Sequence, residues 1–152
     1  MAEKTPIACV TGDAERGAQL YAALRAEFDV AVEYDAFKAL DDLESRRPMA
    51  LIIDENIKPM GGLKFLERAA VRLAKQMVPA LLLISKQQET FVQKTAYLGE
   101  TAYLIKPVDW ARLRAKISEA VNAGVEKSWD QLPPVQRSVL KETVSIFRDC
   151  FG

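Results

Sequence analysis

Three residues of different chemistry each close a short apolar run. Asp54 follows Leu51-Ile52-Ile53, Ser85 follows the run from Pro79 to Ile84, and Lys106 follows the run from Thr101 to Ile105. A carboxylate, a hydroxyl and an ammonium at one edge of a sheet are what transient acyl-phosphate chemistry needs. The first accepts, the second bonds a phosphoryl oxygen and the third neutralises charge. Each alone says little, because an aspartate after a strand is commonly a turn former or a helix cap. Their placement at three successive strand ends carries the reading. The chain contains no histidine, which removes the usual general base near neutral pH and the commonest zinc ligand. It also has no phosphohistidine to donate, so any phosphoryl group must arrive from outside the chain.

These residues need a scaffold that brings distant strand ends together, and the hydrophobic pattern supplies one. Pro6 to Val10 reads as a strand ending at Thr11-Gly12-Asp13, and Leu20, Ala23, Leu24 and Phe28 recur at helical spacing within residues 14 to 28. Val30 to Tyr34 is a second strand, and Asp35 is placed to cap a helix carrying Phe37, Leu40 and Leu43. Ala50 to Ile53 is apolar throughout, as expected of a strand buried on both faces. After Pro59-Met60-Gly61-Gly62 comes a helix with Leu63, Leu66, Ala70 and Leu73 on one face. The fourth strand is then followed by a helix over residues 88 to 99, a fifth strand over 101 to 105, and a helix capped by Asp109 that carries Leu113, Ile117 and Val121. Five strands alternating with five helices predict an α/β fold with a doubly wound five-stranded parallel sheet. Ligands in such sheets sit at the carboxyl ends of the strands, where Asp54, Ser85 and Lys106 fall.

Asn122-Ala123-Gly124 reads as the end of this unit, so the domain is expected over residues 5–122, with residues 123–152 forming a linker and a C-terminal helical extension. From Pro133-Pro134 onward, Leu140, Val144, Phe147 and Phe151 form an apolar stripe. That stripe must be covered by its own domain, by a twin chain or by a connection to an output domain.

Composition narrows the function. The 152 residues carry 21 Lys plus Arg against 21 Asp plus Glu, so no excess positive charge draws the chain to nucleic acid or anionic lipid. Cys9 and Cys150 are far apart and form no CxxC pair, which suits reduced thiols in a cytoplasmic protein. No apolar run is long enough to span a bilayer, and Met1-Ala2-Glu3-Lys4 leads into no signal-peptide core.

The sequence resembles the receiver domains of two-component response regulators over about residues 5 to 122. The resemblance rests on Leu51-Ile52-Ile53-Asp54 with Met60 and Gly62 following, on Leu83-Ile84-Ser85, and on the block Ala96 to Pro107, which includes Tyr103 and Lys106-Pro107. It implies a flavodoxin-like receiver fold with Asp54 as phosphoacceptor, Ser85 and Tyr103 as the switch pair, and Lys106 as the phosphate-pairing lysine. It also implies a cis Lys106-Pro107 bond. The implied partner is a sensor histidine kinase or a phosphotransfer protein, and the implied role is that of an interaction switch rather than an enzyme. Tyr97, Trp110 and Leu113 would lie on the surface this family uses for dimers and partners, with Leu140, Val144 and Phe147 extending the interface towards a homodimer.

Where the family carries an acidic pair to hold Mg²⁺, this chain has Thr11 and Gly12. Asp13, Asp54 and the Asn56 carbonyl are the ligands that remain, a weak set for a cation that wants octahedral oxygen coordination. Lys86 replaces the small residue that usually follows the switch hydroxyl, and Lys58-Pro59 displaces the expected loop proline by one place. Three readings stand at this point. Asp54 could accept a phosphoryl group and drive a switch, or the chain could be a phosphorylation-independent receiver for dimerisation or docking. A remoter reading is a flavodoxin-like FMN carrier, against which Asp13 and Glu15 place negative charge in the loop that would hold phosphate.

Overall fold

The computed structural model describes residues 4–72, 78–94 and 101–126. In chain order they form β1 (Thr5–Val10), α1 (Ala14–Leu24), β2 (Phe28–Glu33), α2 (Ala36–Arg46), β3 (Ala50–Asp54), α3 (Gly62–Arg72), β4 (Ala80–Ile84), α4 (Glu89–Lys94), β5 (Thr101–Ile105) and α5 (Trp110–Glu126). The strands pair in the order β2-β1-β3-β4-β5, all parallel. This is the doubly wound sheet the pattern predicts. Its strand order reverses between β1 and β3, the kind of crevice where such folds place ligands.

Period-two alternation splits the core into two layers. Leu51, Ile53, Leu82 and Ile84 face α2 and α3 and pack with Leu40, Leu43 and Phe65. Ala50, Ile52, Leu81 and Leu83 face the other way and pack with Leu20 and Leu24 of α1 and with Leu113, Ile117 and Val121 of α5. Both β3 and β4 are buried along their whole length, which is why their sequences are apolar without alternation. Asp54 is therefore drawn into a dry position at the end of β3.

Helix termini follow local chemistry. The Asp35 side chain accepts from Lys38 N–H at 2.9 Å and starts α2. Arg47, at φ 46°, ends α2 in the left-handed region, with its N–H on the Leu43 carbonyl. Asp109 caps α5 through Arg112 N–H at 3.2 Å.

Several boundaries shift from the sequence reading. Phe28 does not continue α1. The helix ends as Arg25 N–H bonds the Tyr21 carbonyl and Glu27 N–H bonds that of Leu24, and Phe28 instead opens β2 opposite Thr5. The helix expected from residue 88 begins as a tight 3₁₀ turn at Lys86–Gln88 before α4. Helix α5 runs on to Glu126, past the expected boundary at residue 122. Leu113, expected at an interface, is 0% exposed in the core against α1, because its helical spacing with Ile117 and Val121 fixes the inward face of α5. The Lys106-Pro107 bond is cis as the resemblance implied, and Lys58-Pro59 is cis as well.

Cys9 is fully buried in β1, and burial pushes its thiol up to about 12, so it stays a neutral thiol in the folded protein. In a Cys150→Ser variant, a thiol reagent at mildly alkaline pH should label Cys9 only at the rate of unfolding. Prompt labelling of the native protein would contradict this placement.

Candidate functional site

The site is built where β1, β3, β4 and β5 end along one edge of the sheet. Val10 pairs with Ile53, so the next residue on β1, Thr11, arrives beside Asp54. Lys106 follows Ile105, the partner of Ile84, and its N–H bonds the Ile84 carbonyl at 2.7 Å. Asp54 is 1% exposed. Its Oδ2 accepts the Thr11 hydroxyl at 2.8 Å. Its Oδ1 accepts Lys106 Nζ at 2.6 Å and the Asn56 backbone N–H at 3.1 Å. Charge-assisted bonds of this kind offset part of the cost of burying a carboxylate.

Ser85 does not bond Asp54. Its partner is Glu55, whose Oε1 accepts the Ser85 N–H at 2.8 Å and whose Oε2 accepts the Ser85 hydroxyl at 3.3 Å. Lys106 Nζ also stands 3.6 Å from Glu55 Oε1. One lysine thus serves two carboxylates that are neighbours in sequence.

A second cluster lies just beyond β4. Tyr103, partly buried on β5, donates its hydroxyl to Glu89 Oε2 at 3.0 Å. Lys86 Nζ holds the other oxygen of the same carboxylate at 2.7 Å. The Lys86 hydrogen bond, followed by that from Tyr103, holds the Glu89 carboxyl below its ordinary range, and Glu89 in turn raises Lys86. Lys86 therefore points to Glu89, the acceptor of the Tyr103 hydroxyl.

The residues present do not fit Mg²⁺. Asp13, expected as a ligand, turns its carboxylate to the start of α1, where Oδ1 accepts the N–H groups of Glu15 and Arg16 at 2.9 and 3.3 Å. The Asn56 carbonyl accepts the Gly12 N–H at 2.7 Å, and both oxygens of Asp54 already carry protein donors. Among the described residues, no group of three or more His, Cys, Asp or Glu is placed to hold a metal. Nor does the backbone leave room for an acidic side chain at position 12. A Cβ on Gly12 would stand 2.5 Å from the Asn56 carbonyl oxygen, so the backbone of the β3–α3 loop would have to move first.

Trp110 begins α5 half-buried, with Arg16 over its ring at 6.0 Å. Tyr97, Leu140, Val144 and Phe147 lie outside the described residues. The sequence reading missed Glu55 and Glu89 and took Thr11 as a loss rather than as a donor. An acid directly after Asp54, and an acid three residues after Lys86 at a helix start, were the available signals.

Comparison with known proteins gives the same architecture. The family model described as the response regulator receiver domain matches residues 7–118. Chemotaxis protein CheY4 of Vibrio cholerae superposes with a TM-score of 0.69 at 20% identity, covering 77% of this chain and 98% of that one. A CheY-like receiver domain protein from Methanospirillum hungatei gives 0.70 at 22% identity, covering 82% and 98%. A response-regulator-like protein from Chloroflexus aurantiacus gives 0.71 at 21% identity, covering 79% and 99%. At these identities the structural likeness speaks for the fold.

Thr11→Val keeps the shape of the side chain but leaves Asp54 Oδ2 buried without its donor. The loss should be about 1–3 kcal/mol of stability by urea denaturation, the cost of an unsatisfied buried acceptor. The Tyr103 clamp should depend on pH in a defined direction. Because the Glu89 carboxyl is lowered in the folded state, its contribution is complete above the ordinary carboxylate range and is lost only as pH falls through the lowered value. Tyr103 ring resonances should stay constant from neutrality down to that range and move only below it. A transition at or above the ordinary range would contradict the clamp.

Proposed function

Since the chain belongs to the response regulator receiver domain family, we propose that it is a protein-interaction switch whose partner face is set by internal hydrogen bonds rather than by Mg²⁺-dependent phosphorylation. The observation that carries this reading is the Thr11 hydroxyl on Asp54 Oδ2 at 2.8 Å, at the place where the family's acidic pair would stand. Phosphoryl transfer to a carboxylate gathers negative charge, and a divalent cation is its main neutraliser. With Asp13 committed to a helix cap, that neutraliser has no cradle. Tyr103 is partly buried and donates its hydroxyl to Glu89 without any modification.

The partner is a sensor histidine kinase or a phosphotransfer protein, met through the surface near Tyr103 and Trp110, with no enzymatic activity required of this chain. A second copy of the chain is the other occupant of that face, with the segment after α5 as a handle.

A second reading is favoured by one observation. Lys106 stands 2.6 Å from Asp54, the pairing that a phosphoacceptor aspartate would use, and on this reading a partner kinase phosphorylates Asp54.

The two readings separate on two measurements. On the first, beryllofluoride with Mg²⁺ gives no saturable calorimetric signal, and Asp54→Asn binds the cognate kinase or self-associates as the native chain does, while Trp110→Ala weakens that association. Saturable beryllofluoride binding that needs Mg²⁺, together with partner binding altered by Asp54→Asn, would establish the second reading in its place.

A further inference from the structure

Resting on the phosphorylation-independent reading above, we infer that Glu55 is a resident anion that occupies the donors a tetrahedral oxyanion would use. Three donors converge on its carboxylate. The Ser85 N–H lies at 2.8 Å and the Ser85 hydroxyl at 3.3 Å, one on each oxygen, and Lys106 Nζ stands 3.6 Å from Oε1. A backbone amide, a hydroxyl and an ammonium are the donor set that recognises phosphoryl oxygens. Both oxygens of the carboxylate engage a single serine, so the contact is bidentate and not an incidental approach of one oxygen.

The surroundings make the occupancy consequential. The Lys106 and Glu55 side chains are 18% and 19% exposed, partly screened from water but still reachable from solution. Lys106 is shared with the buried Asp54, so this cluster of two carboxylates and one ammonium already carries net negative charge. An oxyanion that approaches Ser85, whether free or carried on Asp54, must displace Glu55 and also meet its repulsion. Glu55 therefore does two things. It satisfies the Ser85 donors and so sets the exit of β4, and it excludes competing anions from them.

Removing the carboxylate should expose the site. Glu55→Ala leaves the Ser85 N–H, the Ser85 hydroxyl and part of Lys106 without an acceptor, a situation that favours any anion able to fill them. Glu55→Gln retains an amide oxygen for Ser85 while removing the charge, and separates the two effects. The probe is orthophosphate, titrated in EDTA at constant ionic strength, with the Ser85 amide resonance in ¹⁵N-labelled protein as the readout. The native chain should show no saturable shift. Glu55→Ala should bind orthophosphate at least about tenfold more tightly, with Glu55→Gln intermediate and both variants retaining native chemical-shift dispersion. Equal affinity in all three proteins, or binding to the variants that leaves the Ser85 amide unmoved, would overturn the inference. Because the titration contains no metal and no phosphoryl donor, its outcome is independent of the beryllofluoride experiment. Mg²⁺-dependent binding there would remove the proposed function, whereas failure here removes only the role of Glu55.

Discussion

A carboxylate held in a dry place is the constraint on which the rest of the structure turns. Asp54 is 1% exposed at the end of a strand whose every residue is buried. An unpaired carboxylate there would be strongly disfavoured, since desolvation of a charge costs several kcal/mol even after relaxation. The fold answers with donors from three separate places in the chain: Thr11 after β1, Lys106 after β5 and the Asn56 backbone just beyond β3. Each depends on register. A one-residue slip of β1 or β5 would turn its last side chain to the other face of the sheet and leave the charge unpaired. The parallel pairing and the polar site thus stabilise one another, and the two apolar layers against α2 and α3 and against α1 and α5 hold the register that both need.

The chain's overall charge balance conceals how unevenly charge is distributed at this edge. Asp54 and Glu55 both reach for Lys106, at 2.6 and 3.6 Å, while Lys86 is turned away to Glu89 at 2.7 Å. The second lysine near the site therefore does not offset the second carboxylate. It neutralises Glu89, and that ion pair gives Tyr103 a fixed acceptor. A phosphoryl group added to Asp54 would enter a cluster in which two carboxylates share one lysine. The direction of the added repulsion agrees with the commitment of Asp13 to capping α1.

What the sequence made legible divides along the same physical line. Features set by backbone periodicity could be read directly, including β5 over Thr101–Ile105, the caps at Asp35 and Asp109, and the all-apolar β3 and β4. Asp54 and Lys106 stood out because a polar residue directly after such a run must sit at a strand end. Phe28 was misread because its apolar spacing prolongs the α1 stripe. What ended the helix was a set of hydrogen bonds at Arg25 and Glu27 that no pattern of hydrophobicity displays. Leu113 was read as interface by resemblance, although its spacing with Ile117 and Val121 already marked it as core. The pairings of Glu55 with Ser85 and of Glu89 with Tyr103 were not legible, since they depend on which rotamer a long acidic side chain adopts once neighbouring strands are in register.

Those two unforeseen pairings meet at one short stretch of chain. Ser85 leaves β4 bound to Glu55, and the next residue, Lys86, begins the turn that delivers Glu89 to Tyr103. Residues 85 to 89 thus join the Asp54 pocket to the face carrying Tyr103. A shift of the Ser85 backbone would carry into the start of that turn, and through it to Glu89, which accepts the tyrosine hydroxyl. Coupling between a buried site and a surface is physically grounded when both bias one element, and here that element is the exit of β4. The Glu55 carboxylate lies on one side of it and the solvent-exposed Lys86–Glu89 ion pair on the other. On the proposed reading, these are the two contacts through which the Asp54 pocket and the face carrying Tyr103 would be coupled.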